Sequence, residues 1–260
     1  MKIDTVLTAV NLNNEYLVLI PNFIKHWEGI FKNINIKIIL IGSDIPSDYK
    51  KYSKYITLFN EIPNIPTSFQ AMCIRELYPC IVNSNNGVII TDIDMMPMNC
   101  SYFEEPIKDI PNNKFVIYRD VLKDEYPMCY NIATPEVWSN VFNIKNETDI
   151  HNELIRLYNK QISIPYSNFF DKYFFHNIDQ KNLFDKLNIF NNQTNNLVIL
   201  TDEICKFNRL NRDGSDINDD IVSNIKNKVY SDFHCYRVYQ DNWEEKNNKI
   251  MDILLNSLHY

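Results

Sequence analysis

Gly87-Val88-Ile89-Ile90 is a short, wholly apolar run that passes without a break into Thr91-Asp92-Ile93-Asp94. Four residues with no polar alternation read as a strand covered on both faces, the situation of a sheet held between helix layers. The segments around it agree. Ile3 to Val10 is β-branched and apolar, and it ends in the polar run Asn11-Leu12-Asn13-Asn14. Tyr16 to Phe31 carries Leu17, Ile20, Phe23, Ile24 and Trp27 at helical spacing; Ile36 to Ile41, closed by Gly42, and Tyr55 to Phe59 read as further strands. After a Pro-bounded loop from Ile62 to Pro66, Ser68 is placed to cap a helix reaching Tyr78, before Pro79. The second half is less regular: strands at Lys114 to Tyr118 and Leu197 to Leu200, helices at Pro135 to Phe142, Thr148 to Lys160 and Asp179 to Leu187, and a polar stretch from Asn208 to Asp220 expected to be a mobile loop. No linker or repeat divides the chain. The expectation is an α/β protein with a mixed sheet flanked by helices, one domain over residues 1–260.

The glycines narrow the function. Gly29, Gly42, Gly87 and Gly214 are too far apart for a GxGxxG fingerprint or a P-loop, so neither usual glycine cradle for phosphates is present. Scattered Lys and Arg, 26 against 33 acidic residues, lack the basic footprint of a nucleic-acid binder. The six cysteines form no CxxC pair and are expected to be reduced and mostly buried. The longest apolar run, Ile36 to Ile41, is far short of the roughly 20 residues of a membrane span, and the N-terminus lacks the apolar core of a signal peptide; a cytoplasmic location is expected. His26, His151, His176 and His259 have no metal spacing and are expected at the surface.

Asp92 and Asp94 leave the carboxyl end of the apolar strand, where ligands of open α/β sheets bind. Continued strand alternation would turn both carboxylates to one side. Two like charges there repel unless a cation lies between them, and Mg²⁺ or Mn²⁺ also bridges diphosphate oxygens. A metal would then do the work of the missing glycine loop. A solvated turn remains the other reading of the tripeptide.

The strand running into Thr91-Asp92-Ile93-Asp94, with TAVNLN, FQAMCIRELYP, YPMCYNIATPEVW, NIDQ, KFNRL and DFHCYR in that order, resembles the GT-A-fold nucleotide-sugar glycosyltransferases. It is similar in particular to the small GT-A domains of large DNA viruses, such as those that build chlorovirus capsid glycans. The likeness covers roughly residues 3 to 240 and implies a GT-A, Rossmann-like mixed sheet and a hexosyl- or deoxyhexosyltransferase. It implies Asp92, Asp94 and His234 as ligands of Mn²⁺ (or Mg²⁺), with Asp92 shared with the ribose; a local hydrogen bond is the other reading of His234. Thr8, Ala9, Asn11 and Tyr16 would line the uracil and ribose pocket, unless Asn11 merely forms a turn. Ile93 belongs to the same nucleotide-binding segment. Arg75 would reach the donor, or pair with Glu76 or a surface carboxylate. Lys206, Asn208, Arg209 and Arg212 would face the leaving diphosphate, or be ordinary solvated charges. Tyr130, Asn131 and Ala133 would wall the sugar. Asp179 with Gln180, after the aromatic run Tyr173 to Phe175, would contact it, Asp179 being otherwise a helix cap. Asp120 is a second candidate catalytic carboxylate.

The implied partners are a nucleoside diphosphate sugar, UDP-linked, and a glycan or glycoprotein acceptor, in the host cytoplasm if the chain is viral. A nucleotidyltransferase and a catalytically silent sugar-binding module are the competing readings.

Overall fold

The computed structural model describes residues 1–163, 178–212 and 217–258. Strands β1 (Ile3–Asn11), β2 (Asn35–Ile41), β3 (Ile56–Phe59) and β4 (Gly87–Ile90) run parallel. A seven-stranded sheet of order β3-β2-β1-β4-β7-β6-β8 is completed by β6 (Phe115–Ile117), β7 (Asn131–Ala133) and β8 (Leu197–Ile199), with β7 antiparallel to both its neighbours. A three-stranded sheet, β5-β10-β9, joins β5 (Met95–Pro97), β10 (Asp232–His234) and β9 (Arg209–Leu210). This is the mixed sheet flanked by helices that the sequence predicts.

Period-two alternation divides the strands between two cores. Val6, Val10, Ile38, Leu40 and Ile89 face α2 (Ile20–Ile30), whose Trp27 packs on Phe31 and on Phe103 of α4 (Cys100–Glu104). Leu7, Ala9, Ile39, Ile41, Val88 and Ile90 face the opposite core, with α3 (Thr67–Leu77), α5 (Pro135–Phe142), α6 (Glu147–Ile162) and α7 (Ile178–Thr194). Trp138 in α5 donates its indole N–H to the Val88 carbonyl at 3.1 Å, which satisfies a fully buried polar group at the start of β4.

Several local expectations are corrected. Residues 16–31 are not one helix: α1 (Asn14–Leu17), capped by Asn13, ends before α2, because Pro21 lacks an N–H and fits only the first turn of a new helix. α3 begins at Thr67 after Pro66, without the Ser68 cap. The expected loop from Asn208 to Asp220 contains β9 and the start of α9 (Asp219–Lys226), capped by Asn218; residues 213–216, with Gly214, lie outside the described residues. Tyr173 to Phe175, His176 and His259 also lie outside them.

His26 is buried rather than at the surface, 1% exposed on the face of α2 that packs against β5, with Nδ1 3.4 Å from the Pro97 carbonyl. Burial pushes its pKa down to about 3, only partly opposed by that hydrogen bond. The unfolded imidazole takes a proton near pH 6.5. The contribution of His26 is therefore fully present above pH 6.5 and is lost as pH falls toward 3, at up to about 1.4 kcal/mol per pH unit. In urea unfolding at pH 6.5 and pH 5, His26→Gln should lose about 2 kcal/mol less stability between the two than the parent. Equal losses in both proteins would contradict the buried, neutral imidazole.

Candidate active site

The strand order reverses at β1: the chain crosses to β2 on one side and returns to β4 on the other. A crevice opens outside the carboxyl ends of two such strands, and here it is a cavity of about 890 Å³. The Thr91 N–H donates to the Leu7 carbonyl at 3.1 Å, carrying the β1–β4 ladder one residue past β4. The chain then turns, closed by Met95 N–H to the Asp92 carbonyl at 3.2 Å. Asp92 and Asp94 thus reach the cavity from a turn, not from a continued strand. β10 pairs antiparallel with β5, His234 opposite Met95, and the Cys235 N–H donates to the Asp94 carbonyl at 2.9 Å, which sets His234 beside Asp94.

Asp94 is 3% exposed. Its Oδ2 receives Arg237 Nη2 at 2.8 Å and Arg212 Nη1 at 2.9 Å, and lies 3.0 Å from His234 Nε2. Burial alone would raise its pKa, but the His234 hydrogen bond and the two guanidinium charges outweigh it and hold the carboxyl well below the usual carboxylate range. Asp92 pairs with Arg75 Nη1, and Arg75 Nη2 reaches Asp179 Oδ2 at 3.4 Å. The partners of Arg75 are therefore cavity carboxylates, not Glu76, which is buried behind and accepts from Asn182 Nδ2 at 2.9 Å. Asp179, 1% exposed in the first turn of α7, accepts the Gln180 N–H; burial pushes its pKa up to about 6 against the pull of Arg75.

Two further arginines are pinned from behind. Arg209 on β9 gives Nε and Nη2 to Asp232 Oδ2 at 3.0 and 2.7 Å, and the fully buried Asp232 also accepts from Tyr130 Oη at 2.8 Å. Arg119 binds Asp202, in α8 (Asp202–Cys205), through Nε at 2.8 Å and Nη2 at 2.9 Å. Its guanidinium lies 3.7 Å from the centre of the Phe207 ring, with that of Arg209 at 5.0 Å.

Of the residues singled out in the sequence, Ala9, Asn11, Tyr16, Arg75, Asp92, Ile93, Asp94, Asp179, Gln180, Arg209, Arg212 and His234 line the cavity. Thr8, Asp120, Tyr130, Asn131, Ala133, Lys206 and Asn208 do not. Thr8 and Ala133 are buried within the sheet, Asp120 is exposed, and Lys206 is an exposed cap of α8 with φ 55°. Asn131 supports the wall from behind, its Nδ2 donating to the Pro127 carbonyl at 2.7 Å. Arg119 and Arg237 line the cavity without having been assigned from sequence; Arg237 follows His234 by three residues and lies 5.0 Å from the Tyr16 ring. A larger groove, about 1120 Å³, lies between α9 and α10 (Trp243–Ser257); it contains none of these residues.

Among the described residues, no three His, Cys, Asp or Glu side chains gather around one point as a ready-made metal site. Asp94 and His234 do meet, while Asp92 is held by Arg75. One or two carboxylates are what Mg²⁺ ordinarily takes from a protein, phosphate oxygens and water filling the rest, and an imidazole beside a carboxylate is acceptable to Mn²⁺. The donor set fits an ion completed by a diphosphate, not a closed protein cage.

No protein-family model matches the sequence, and no curated protein matches it. Solved structures do. A galactosyltransferase, LgtC, in complex with donor and acceptor sugar analogs aligns over 96% of this chain and 95% of its own, at 11% identity and TM-score 0.50. The glycosyltransferase GlyE of Streptococcus pneumoniae TIGR4 aligns over 100% of this chain and 64% of its own, at 14% identity and TM-score 0.51. The fold is that of the GT-A glycosyltransferases.

Asp232→Ala would leave Arg209 charged and largely buried without its counter-ion. The expected loss of unfolding free energy is about 3–5 kcal/mol, read by denaturant titration. A loss below about 1 kcal/mol would mean that solvent, not Asp232, compensates Arg209.

Proposed function

We propose that this chain is a glycosyltransferase that moves a sugar from a nucleoside diphosphate sugar, UDP-linked, to a hydroxyl of a glycan or glycoprotein acceptor, with Mn²⁺ or Mg²⁺ as cofactor. The observation that carries the reading is one cavity, at the strand-order reversal, in which Asp92 and Asp94 stand among Arg75, Arg119, Arg209, Arg212 and Arg237. Carboxylates for a cation and guanidinium groups for phosphate oxygens are the two requirements of a diphosphate site without a glycine loop.

Ala9 and Asn11, at the end of β1, and Tyr16, in α1, hold the base and ribose, with the Tyr16 ring as an apolar surface for the nucleoside. Arg209, Arg212 and Arg237 take the diphosphate, where negative charge builds as the anomeric bond breaks. Asp94, His234 and Asp92 would hold the cation, which would supply charge neutralisation on the leaving diphosphate. Arg75 and Asp179 face the sugar. Asp179, with a pKa raised to about 6, orients sugar hydroxyls or accepts a proton from the acceptor hydroxyl, whereas the exposed Asp120 lies outside the cavity.

Calorimetric titration of UDP, GDP and CMP, each with and without Mn²⁺, followed by hydrolysis assays on UDP-sugars, tests the reading. UDP should bind with Mn²⁺ present, and Asp94→Asn should weaken that binding by at least about tenfold, some 1.4 kcal/mol, with folding intact. No binding of any nucleotide would favour a silent module. Unchanged affinity in Asp94→Asn would remove Asp94 from the site.

A further inference from the structure

The lone pairs of Asp94 Oδ2 are already in use. Arg212 Nη1, Arg237 Nη2 and His234 Nε2 all lie within 3.0 Å of that one oxygen. A carboxylate oxygen offers about two lone pairs, so a cation can reach Oδ2 only if a present partner leaves it.

Each arginine gives Asp94 a single nitrogen, Arg237 its Nη2 and Arg212 its Nη1. Arg237 Nε is buried with no hydrogen-bond partner among the described residues, and an unmade bond of that kind is costly. Arg212 Nη1 divides its donation between Asp94 and the Cys235 carbonyl at 3.4 Å. Arg119 and Arg209 differ, because each is gripped through Nε and Nη2 by a carboxylate, Asp202 or Asp232, that does not line the cavity.

Charge points the same way. The cavity arginines Arg75, Arg119, Arg209, Arg212 and Arg237 are matched by their partners Asp92, Asp179, Asp202, Asp232 and Asp94, five against five. A divalent cation entering alone would sit against two guanidinium groups, and a nucleoside diphosphate alone would sit against Asp92 and Asp94. Together their charges nearly cancel.

We infer that Arg212 and Arg237 are exchangeable placeholders on Asp94: they occupy its Oδ2 in the free protein and transfer to the diphosphate when the donor binds, so that cation and nucleotide bind as an interdependent pair. The proposal rests on the glycosyltransferase reading for the identity of the anion. The coupling is reciprocal, each ligand raising the affinity of the other by the same factor.

The test is calorimetry on the full chain with Mn²⁺ alone, UDP alone, and Mn²⁺ at saturating UDP. The parent, Arg212→Gln, Arg237→Gln and a surface control, Lys25→Gln, are compared, with thermal melts to check folding. In the parent, UDP should raise Mn²⁺ affinity at least tenfold. Arg212→Gln and Arg237→Gln should each bind Mn²⁺ alone at least fivefold more tightly than the parent and bind UDP with Mn²⁺ at least fivefold more weakly. Lys25→Gln, which removes the same charge far from Asp94, should change neither. A parent that binds the pair but takes Mn²⁺ equally well without UDP overturns the inference and leaves the glycosyltransferase reading standing. So do arginine variants whose affinity for Mn²⁺ alone is unchanged or weaker. A parent that binds nothing, alone or together, overturns both. Because the parent measurement needs no substitution, a variant that fails to fold does not rescue the inference.

Discussion

Between β1 and β4 the order of the strands reverses, and the geometry of the site follows from that reversal. Crossovers from adjacent parallel strands leave in opposite directions at such a point, so no connection covers the strand ends. The Thr91 to Leu7 hydrogen bond extends the ladder to the lip of the opening and fixes where the turn bearing Asp92 and Asp94 begins. The small β5-β10-β9 sheet then grows from that turn and brings His234 and Arg209, far away in sequence, to the same opening. The buried His26 braces the back of the small sheet at Pro97.

Placing carboxylates in that opening creates an electrostatic problem which the arginines answer. A buried carboxylate without a counter-charge would take up a proton, as the raised pKa of Glu76 illustrates: burial dominates there, Asp179 adds to it, and no arginine is within hydrogen-bonding reach. Asp94 is almost as buried, yet it is held ionised by Arg237, Arg212 and His234. Asp179 lies between these cases, with only Arg75 at 3.4 Å against complete burial. Burial pushes the carboxyl pKa up in all three, and the cationic donors that face each one decide how far that push is opposed.

The fold was legible wherever a strand is an unbroken run of apolar residues. β1, β2 and β4 are read from consecutive β-branched residues because both faces are buried. β5, β7 and β10 carry Met-Met-Pro, Asn-Ile-Ala and Asp-Phe-His in place of the wholly apolar runs that mark the equally short β6 and β8, and their pairing partners are distant in sequence. At the site, Asp92 and Asp94 stood out by residue type and strand context, and His234 through the family resemblance. Arg119 and Arg237 did not, since an arginine has no signature until its partner is known, and Asp202 and Asp94 lie 83 and 118 or more residues from the arginines they bind. The burial of His26 was hidden by its polarity, although it neighbours Trp27 on the same buried face of α2.

Glycine scarcity and the gathering of five of the six arginines at one cavity are two sides of one constraint. A phosphate-binding loop uses backbone N–H groups, which need no counter-charge and stay fixed whether or not ligand is present. A site that lacks such a loop must use side chains that are charged at all times, and those need anions to rest against in the free protein. Here the anions are of two kinds. Asp202 and Asp232 sit outside the cavity and hold Arg119 and Arg209 in fixed positions. Asp92, Asp94 and Asp179 sit inside it and face the same space as the arginines they neutralise. A ligand that brings its own anion competes with the second kind and merely joins the first, so the division between pinned and shared arginines follows from where their carboxylates lie.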